Sequence, residues 1–300
     1  MTAAGSSVVN AAGRPAAGRR RLPLSWVGAV PFLGYVSTFL LLPTGIVVAG
    51  AFVAADGGLT LSNFNGLSEP FIITSFVNSL VVSAATAAIG AVGGAILAYA
   101  VVTGNPEGLL RRLVTSACGV LAQFGGVTLA FAFLATIGGA GFLTVWLLDH
   151  GIDIYANGVW LYKLPGLILV YTYFQIPLMV LVFLPALDGI RPQWREATET
   201  LGGNTWHYWR YVAGPLLTPA FLGAALLLFA NAFSAYATAN ALINQGGIVV
   251  PIQIGNALTS EVGLHDPGLA KALALGMVVI VAVVMGLYAV LQRTTAKWLV

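Results

Sequence analysis

Six apolar tracts, each more than twenty residues long, constrain this chain more than any other feature. They run over 27–52, 75–102, 113–137, 165–187, 216–243 and 269–291, and Lys271 is the one Lys, Arg, Asp or Glu among them. A helix needs about 20 predominantly apolar residues to cross a bilayer, and hydrocarbon leaves the backbone no partner but itself. The spacing therefore predicts an all-α membrane protein with six transmembrane helices. Composition agrees, because 58% of the 300 residues are apolar and only 8% are charged, against roughly 25% charged in soluble domains. A soluble enzyme, a secreted scaffold and a disordered tail are excluded. The first tract is also too long for the roughly 7–15 apolar residues of a signal peptide. The expected organisation is a basic cytoplasmic tail over 1–26, a six-helix domain over 27–292 and a short cytoplasmic tail over 293–300.

Cations set the topology, since Lys and Arg are retained on the cytoplasmic side. With the N-terminus inside, Arg14, Arg19, Arg20, Arg21, Arg111, Arg112, Arg191, Arg195, Arg210, Arg293 and Lys297 are cytoplasmic, which is 11 of the 13 cations. Lys163 and Lys271 fall outside, and both termini are cytoplasmic. Acidic residues lean the other way, with Asp56, Glu69, Asp149, Asp153, Glu261 and Asp266 outside and Glu107, Asp188, Glu196 and Glu199 inside. This distribution explains a pI near 9.1. No basic stripe with exposed aromatics points to nucleic acid.

Catalytic chemistry finds little to work with. Cys118 lies in an apolar tract, where packing explains it, and a single cysteine forms no internal disulfide. His150, His207 and His265 occupy three separate loops on two sides of the membrane, so they do not make one metal site. Gly90 and Gly94 have the small-xxx-small spacing that lets helices approach closely in lipid. Packing within the chain and a dimer seam are both open readings of that pair.

The segment 188–219, DGIRPQWREATETLGGNTWHYWRYVAGPLLTP, is the one long cytoplasmic loop. Pro192 suits the first turn of a helix. Trp194, Ala197, Thr198 and Leu201 then recur at helical spacing as a less polar face, while Arg195 and Glu199 pair four apart. Gly202 and Gly203 end that helix, and Asn204 or Thr205 caps a second one that runs through Trp206, Tyr208 and Trp209 until Pro215. A solvated interhelical loop with interfacial aromatics is the plainer alternative.

The residues of this loop resemble the EAA signature of permease subunits of type I ATP-binding-cassette importers. Glu196-Ala197-Thr198 is followed after three residues by Gly202, then after nine by Val212, Ala213, Gly214 and Pro215. Spacing is kept throughout, and Thr198, Val212 and Gly214 depart from the consensus Ala, Ile and Leu. Asn78-Ser79-Leu80, Ala98-Tyr99 and Pro177-Leu178-Met179-Val180 resemble the same family. Phe233-Ser234-Ala235-Tyr236-Ala237-Thr238 and Val250-Pro251-Ile252-Gln253-Ile254 are most similar to its spermidine/putrescine branch, whose relatives serve thiamine, ferric iron and aminoalkylphosphonates.

The resemblance implies a cytoplasmic coupling helix between the fourth and fifth spans that docks on an ATPase subunit. Trp194, Arg195, Glu196, Ala197, Leu201, Gly202, Asn204 and Pro215 would carry it, with Leu201 and Trp194 as anchors. It also implies two ATP-binding subunits, a second permease expected to be a different chain, and an extracytoplasmic solute-binding protein. No Gly-Lys pair occurs, so a phosphate-cradling P-loop is missing. The chain thus needs no cofactor of its own, ATP being bound by the other subunits, and it is not itself an enzyme.

Polar side chains inside a span cost free energy unless they meet each other or a wet path. Gln123, Tyr173, Gln175, Asn231, Ser234, Tyr236, Thr238 and Asn240 are the candidates for a translocation path, with Asn78 as a further polar position. Interhelical hydrogen bonding explains any one of them equally well. A polyamine-like solute fits the resemblance best, although no Asp or Glu lies within a span. The alternative is a secondary transporter driven by an ion gradient, which commonly carries inverted repeats and intramembrane ionisable groups.

Overall fold

A computed structural model describes residues 25–54, 57–104, 108–243, 248–259 and 266–296, with side chains over 29–290. Arg14, Arg19, Arg20, Arg21, Asp56, Glu107, Glu261, His265 and Lys297 lie outside the described residues, as does the side chain of Arg293. The described secondary structure is helical, with one isolated bridge pairing Val53 and Leu59. Residues Met1–Ile46 and Val47–Val300 form two compact units.

The first unit holds α1 (Ser25–Val36) and a π turn (Ser37–Leu41), after which α2 (Leu42–Gly50) leads into the second. Phe32, Leu33, Tyr35, Phe39 and Leu41 are all exposed. A helix apolar on every side is soluble only in hydrocarbon.

In the second unit a 3₁₀ turn (Ser62–Ser68) precedes α3 (Pro70–Thr103). Pro70 opens α3 at a position where its missing N–H costs nothing. There follow α4 (Leu109–Leu121), α5 (Gly126–Ile137), α6 (Phe142–Asp149) and α7 (Leu164–Asp188). Two short helices come next, α8 (Pro192–Thr200) and α9 (Thr205–Tyr208), and a π turn (Trp209–Ala213) joins them to α10 (Gly214–Phe233). The chain closes with α11 (Ala237–Leu242), α12 (Val250–Thr259) and α13 (Pro267–Ala296).

Helix α7 is the axis of the bundle, and α3, α4 and α10 pack along it. Glycine makes the α3–α7 approach possible. A Cβ on Gly90 would lie 2.7 Å from Gln175 Cβ, and one on Gly94 would lie 2.4 Å from Met179 Cβ and 2.7 Å from Ile176 O. The small-residue seam is therefore internal packing, and its face is already occupied by α7. One half of the core gathers Ala91, Ala98, Cys118, Met179, Phe183, Leu217 and Leu228, and the other gathers Val82, Leu129, Leu167, Val170, Phe174 and Leu242.

Helix boundaries differ from the expected tracts in three places. First, the span expected over 113–137 is split at 122–125, so that α4 packs on the half of α7 that ends at Asp188 and α5 on the other half. By length and hydropathy alone the apolar stretch would be Gly126–Asp149. The chain is broken at 138–141, however, where a Cβ on Gly141 would meet Thr136 O at 2.6 Å, and α6 folds back to pack on α5. Together α4 and α5 run along both halves of α7.

Second, the span expected over 216–243 starts earlier, at α9, and breaks at 234–236 before α11. Third, α12 occupies part of an expected loop. It is held against α3 by Val250 N–H, which donates to Ser79 Oγ at 2.9 Å, and by Gln253 Nε2, which donates to Ser75 Oγ at 3.2 Å. Asn78 Nδ2 adds a bond to Ile248 O at 3.1 Å.

Candidate functional site: a helix–turn–helix foot and two broken helices

Pro192 starts α8 with Arg191 in an extended conformation, and Gly202 ends it at φ +78°. That left-handed backbone is accessible to glycine at little cost. Asn204 then caps α9, its Oδ1 accepting from His207 N–H at 3.0 Å. Arg195 Nε meets Glu199 Oε1 at 3.1 Å on the outer face. Glu196, Ala197, Gly202 and Pro215 are exposed, while Trp194 and Thr198 are half-buried toward α10. Leu201 corrects its expectation. At 88% exposure it is an apolar tip and not an anchor. Anchorage comes instead from buried Tyr208 and from Trp209, which meets the Tyr99 ring edge-on at 5.4 Å.

The least conservative departure from the EAA pattern has a local cause. Gly214 follows the π turn, and a Cβ there would stand 2.4 Å from Trp209 O. A leucine does not fit that backbone. At the same end of the bundle, Arg111 and Asp188 form an ion pair of 2.6 Å, which places the start of α4 and the end of α7 on one side of the membrane.

Midway along α7 two helix breaks face each other. The break 122–125 separates α4 from α5, and 234–236 separates α10 from α11. Gly126 N–H donates to Thr238 Oγ1 at 2.9 Å across them, and the Tyr171 hydroxyl donates to Ala235 O at 2.7 Å. Exposed polar side chains stand at both breaks: Gln123 on one and Ser234 and Tyr236 on the other, with Asn231 one turn before. Asn240 borders a cavity of about 830 Å³ together with Tyr162, Phe131 and Leu134. Tyr173 is part-exposed and packs edge-on against Phe133 at 5.8 Å.

Two expected path residues do not belong to that surface. Gln175 is fully buried, and its Nε2 donates to Leu228 O at 2.7 Å, clamping α7 to α10. Thr238 is buried as the cap of α5. Thr238 satisfies the Gly126 N–H, which hydrocarbon would otherwise leave stranded, while Gln175 adds a second donor to a carbonyl within α10 and so ties two helices together. Asn78 likewise serves as an α3–α12 tie. Among the described residues no three His, Cys, Asp or Glu side chains converge as a metal site would require. The role of α12 was missed in the sequence because the helix is short and its ties to α3 join residues 170 or more positions apart.

Comparison with known proteins bears on this arrangement. Residues 128–297 match the family model described as "Binding-protein-dependent transport system inner membrane component". The thiamine transport system permease protein ThiP of Escherichia coli is 28% identical over 48% of this chain, though the match spans only 26% of ThiP. The spermidine/putrescine transport system permease protein PotB of Haemophilus influenzae is 25% identical over 83% of this chain and 87% of its own length. In fold, the chain matches a solved bacterial ABC transporter involved in the import of the acidic polysaccharide alginate. The TM-score is 0.69 at 17% identity, covering 90% of this chain and 95% of that one. The matched region runs from residue 128 in α5 through α13, so it takes in the break at 234–236 and the whole of the α8–α9 element, while the break at 122–125 precedes it. The chain belongs to the binding-protein-dependent transport system inner membrane component family, the multi-pass permeases of ABC importers.

Proposed function

We propose that this chain is the membrane-spanning subunit of an ATP-driven importer, lining half of a path for a small polar solute and receiving mechanical work through α8. The observation that carries this reading is the pairing of two parts. An exposed helix with an apolar tip stands at one end of α7, and two stitched helix breaks with exposed amide, hydroxyl and phenol groups stand halfway along it. Broken helices near the bilayer midplane are where transporters place solute sites, because irregular backbone there must line a cavity. In this reading α8 docks on one of two separate ATP-binding subunits through Glu196, Ala197, Leu201 and Gly202. A second permease, a different chain, completes the path, and an extracytoplasmic binding protein delivers the solute. The positive-inside bias of the cations supports a cytoplasmic location for both termini and for α8.

We infer a polyamine-like solute as the substrate class. The Phe233–Thr238 and Val250–Ile254 segments support it, as does similarity to a spermidine/putrescine permease over most of the chain. The path residues of this chain are uncharged, so Tyr173 and Tyr236 offer ring faces to a cation while the acid comes from the second permease.

Reconstituted vesicles holding the full complex test both levels. Glu196→Gln and Gly202→Val are expected to abolish solute-stimulated ATP hydrolysis while leaving the permease folded. Full stimulation in both variants would refute coupling through α8. Competition of radiolabelled putrescine uptake by spermidine, and none by thiamine, is the outcome expected of the polyamine assignment, and the reverse order would overturn it.

A further inference from the structure

A groove on the outer surface of the bundle, at the end that carries α8, changes in chemistry along its length. Its deeper part, about 340 Å³, is walled by Ile96, Phe183, Leu217 and Phe221. Its shallower part, about 160 Å³, is closed by Pro192, Arg195 and Tyr208. Tyr99, Leu187 and Trp209 border both, and the edge-on contact of Tyr99 with Trp209 forms the floor between them. Ile96 is 65% exposed and Tyr99 42%, so the groove opens outward rather than into the core.

Depth follows from sequence position. Leu187 precedes the final residue of α7, and Phe183 lies one turn deeper, about 6 Å further into the bilayer. The apolar part is therefore at hydrocarbon depth, and the Tyr99–Trp209 pair stands at the headgroup level that such rings favour. A single hydrocarbon chain lying along the groove reaches each of these apolar walls.

Charge at the mouth selects the headgroup. Among the described residues Arg195 pairs with Glu199 across an exposed contact, the two side chains being 56% and 60% exposed. Such pairs hold weakly, and the guanidinium has five donors to share. Of the acids around the mouth, Glu199 holds that exposed pair, Glu196 is exposed on α8, and Asp188 at the end of α7 is neutralised by Arg111 at 2.6 Å.

We propose that this groove binds one anionic phospholipid, its acyl chain lying against Ile96, Leu217 and Phe221 and its phosphate on Arg195. The lipid would brace the foot of α8 against α3. The proposal rests on membrane insertion and the groove alone, so it stands or falls separately from the substrate assignment.

The test is native mass spectrometry of the purified full chain offered equal amounts of phosphatidylglycerol and phosphatidylcholine. Phosphatidylglycerol should be retained in about fivefold excess, the ratio expected of one cation on an anionic headgroup. Arg195→Gln should bring that ratio to about one, whereas Arg112→Gln, an exposed cation outside the groove, should leave it unchanged. Ile96→Trp, which places a bulky ring in the groove at an exposed site, should lower retention of both lipids. Equal retention of the two lipids, an excess that survives Arg195→Gln, or no retained lipid at all would overturn the proposal.

Discussion

The backbone N–H of Gly126 and the hydroxyl of Thr238, 112 residues apart in sequence, meet at 2.9 Å where two broken helices face each other. Gly126 begins α5 at φ +71°, its N–H unsatisfied by its own helix, and Thr238 is fixed by α11. One hydrogen bond thus caps a helix start that hydrocarbon would otherwise penalise.

Thr238→Val keeps the shape of the side chain and removes the acceptor. It should lower stability by about 1–3 kcal/mol, the cost of a buried donor left unpaired, while Thr238→Ser should stay near the parent. Thermal unfolding of the detergent-solubilised protein, followed by intrinsic fluorescence, distinguishes the two.

Along α3 the glycines are predicted to differ. Gly94→Ala drives a methyl against Met179 Cβ and Ile176 O and should cost about 1–3 kcal/mol, as overpacking does. Gly93→Ala meets only the end of Ile176, at 3.4 Å, and should be nearly neutral. Monodispersity and melting temperature of the paired variants, compared in one detergent, show the contrast.

The burial of Gln175 separates clamp from path. Its Oε1 has no hydrogen-bond partner in the structure, so Gln175→Met forfeits one bond but relieves one stranded acceptor, and the net change should be under about 1 kcal/mol. Uptake KM should be unaffected. Tyr236→Ala and Asn240→Ala, at exposed or cavity-lining positions, should raise KM several-fold with little change in melting temperature. A Gln175→Met variant with the larger KM effect would reverse the assignment.

Much of the foot was legible in the sequence because its signals are local. Pro192 at the first turn, Gly202 past the last, Asn204 as cap and the Arg195–Glu199 spacing each act within a few residues, and each forms. Leu201 misled because helical spacing groups it with Trp194 and Thr198, while the chain has already left the helix at that point. The interior polar residues misled for a different reason. Gln175 and Tyr236 are both polar positions in apolar tracts, and only the approach of α10 to one and the helix break beside the other gives them opposite surroundings.

By itself the sequence determined six apolar tracts, a basic side and a helix–glycine–helix foot, because hydropathy, charge and capping are properties of residues near one another in the chain. The tertiary structure decided where the helices break and which polar groups are spent on the bundle. Gly126 and Thr238, Gln175 and Leu228, and Gly94 and Met179 each fit only once α5, α7, α10 and α11 are side by side. In hydrocarbon a stranded backbone group has no solvent to turn to, so its partner must come from whichever helix packs alongside, and that neighbour is set by the fold.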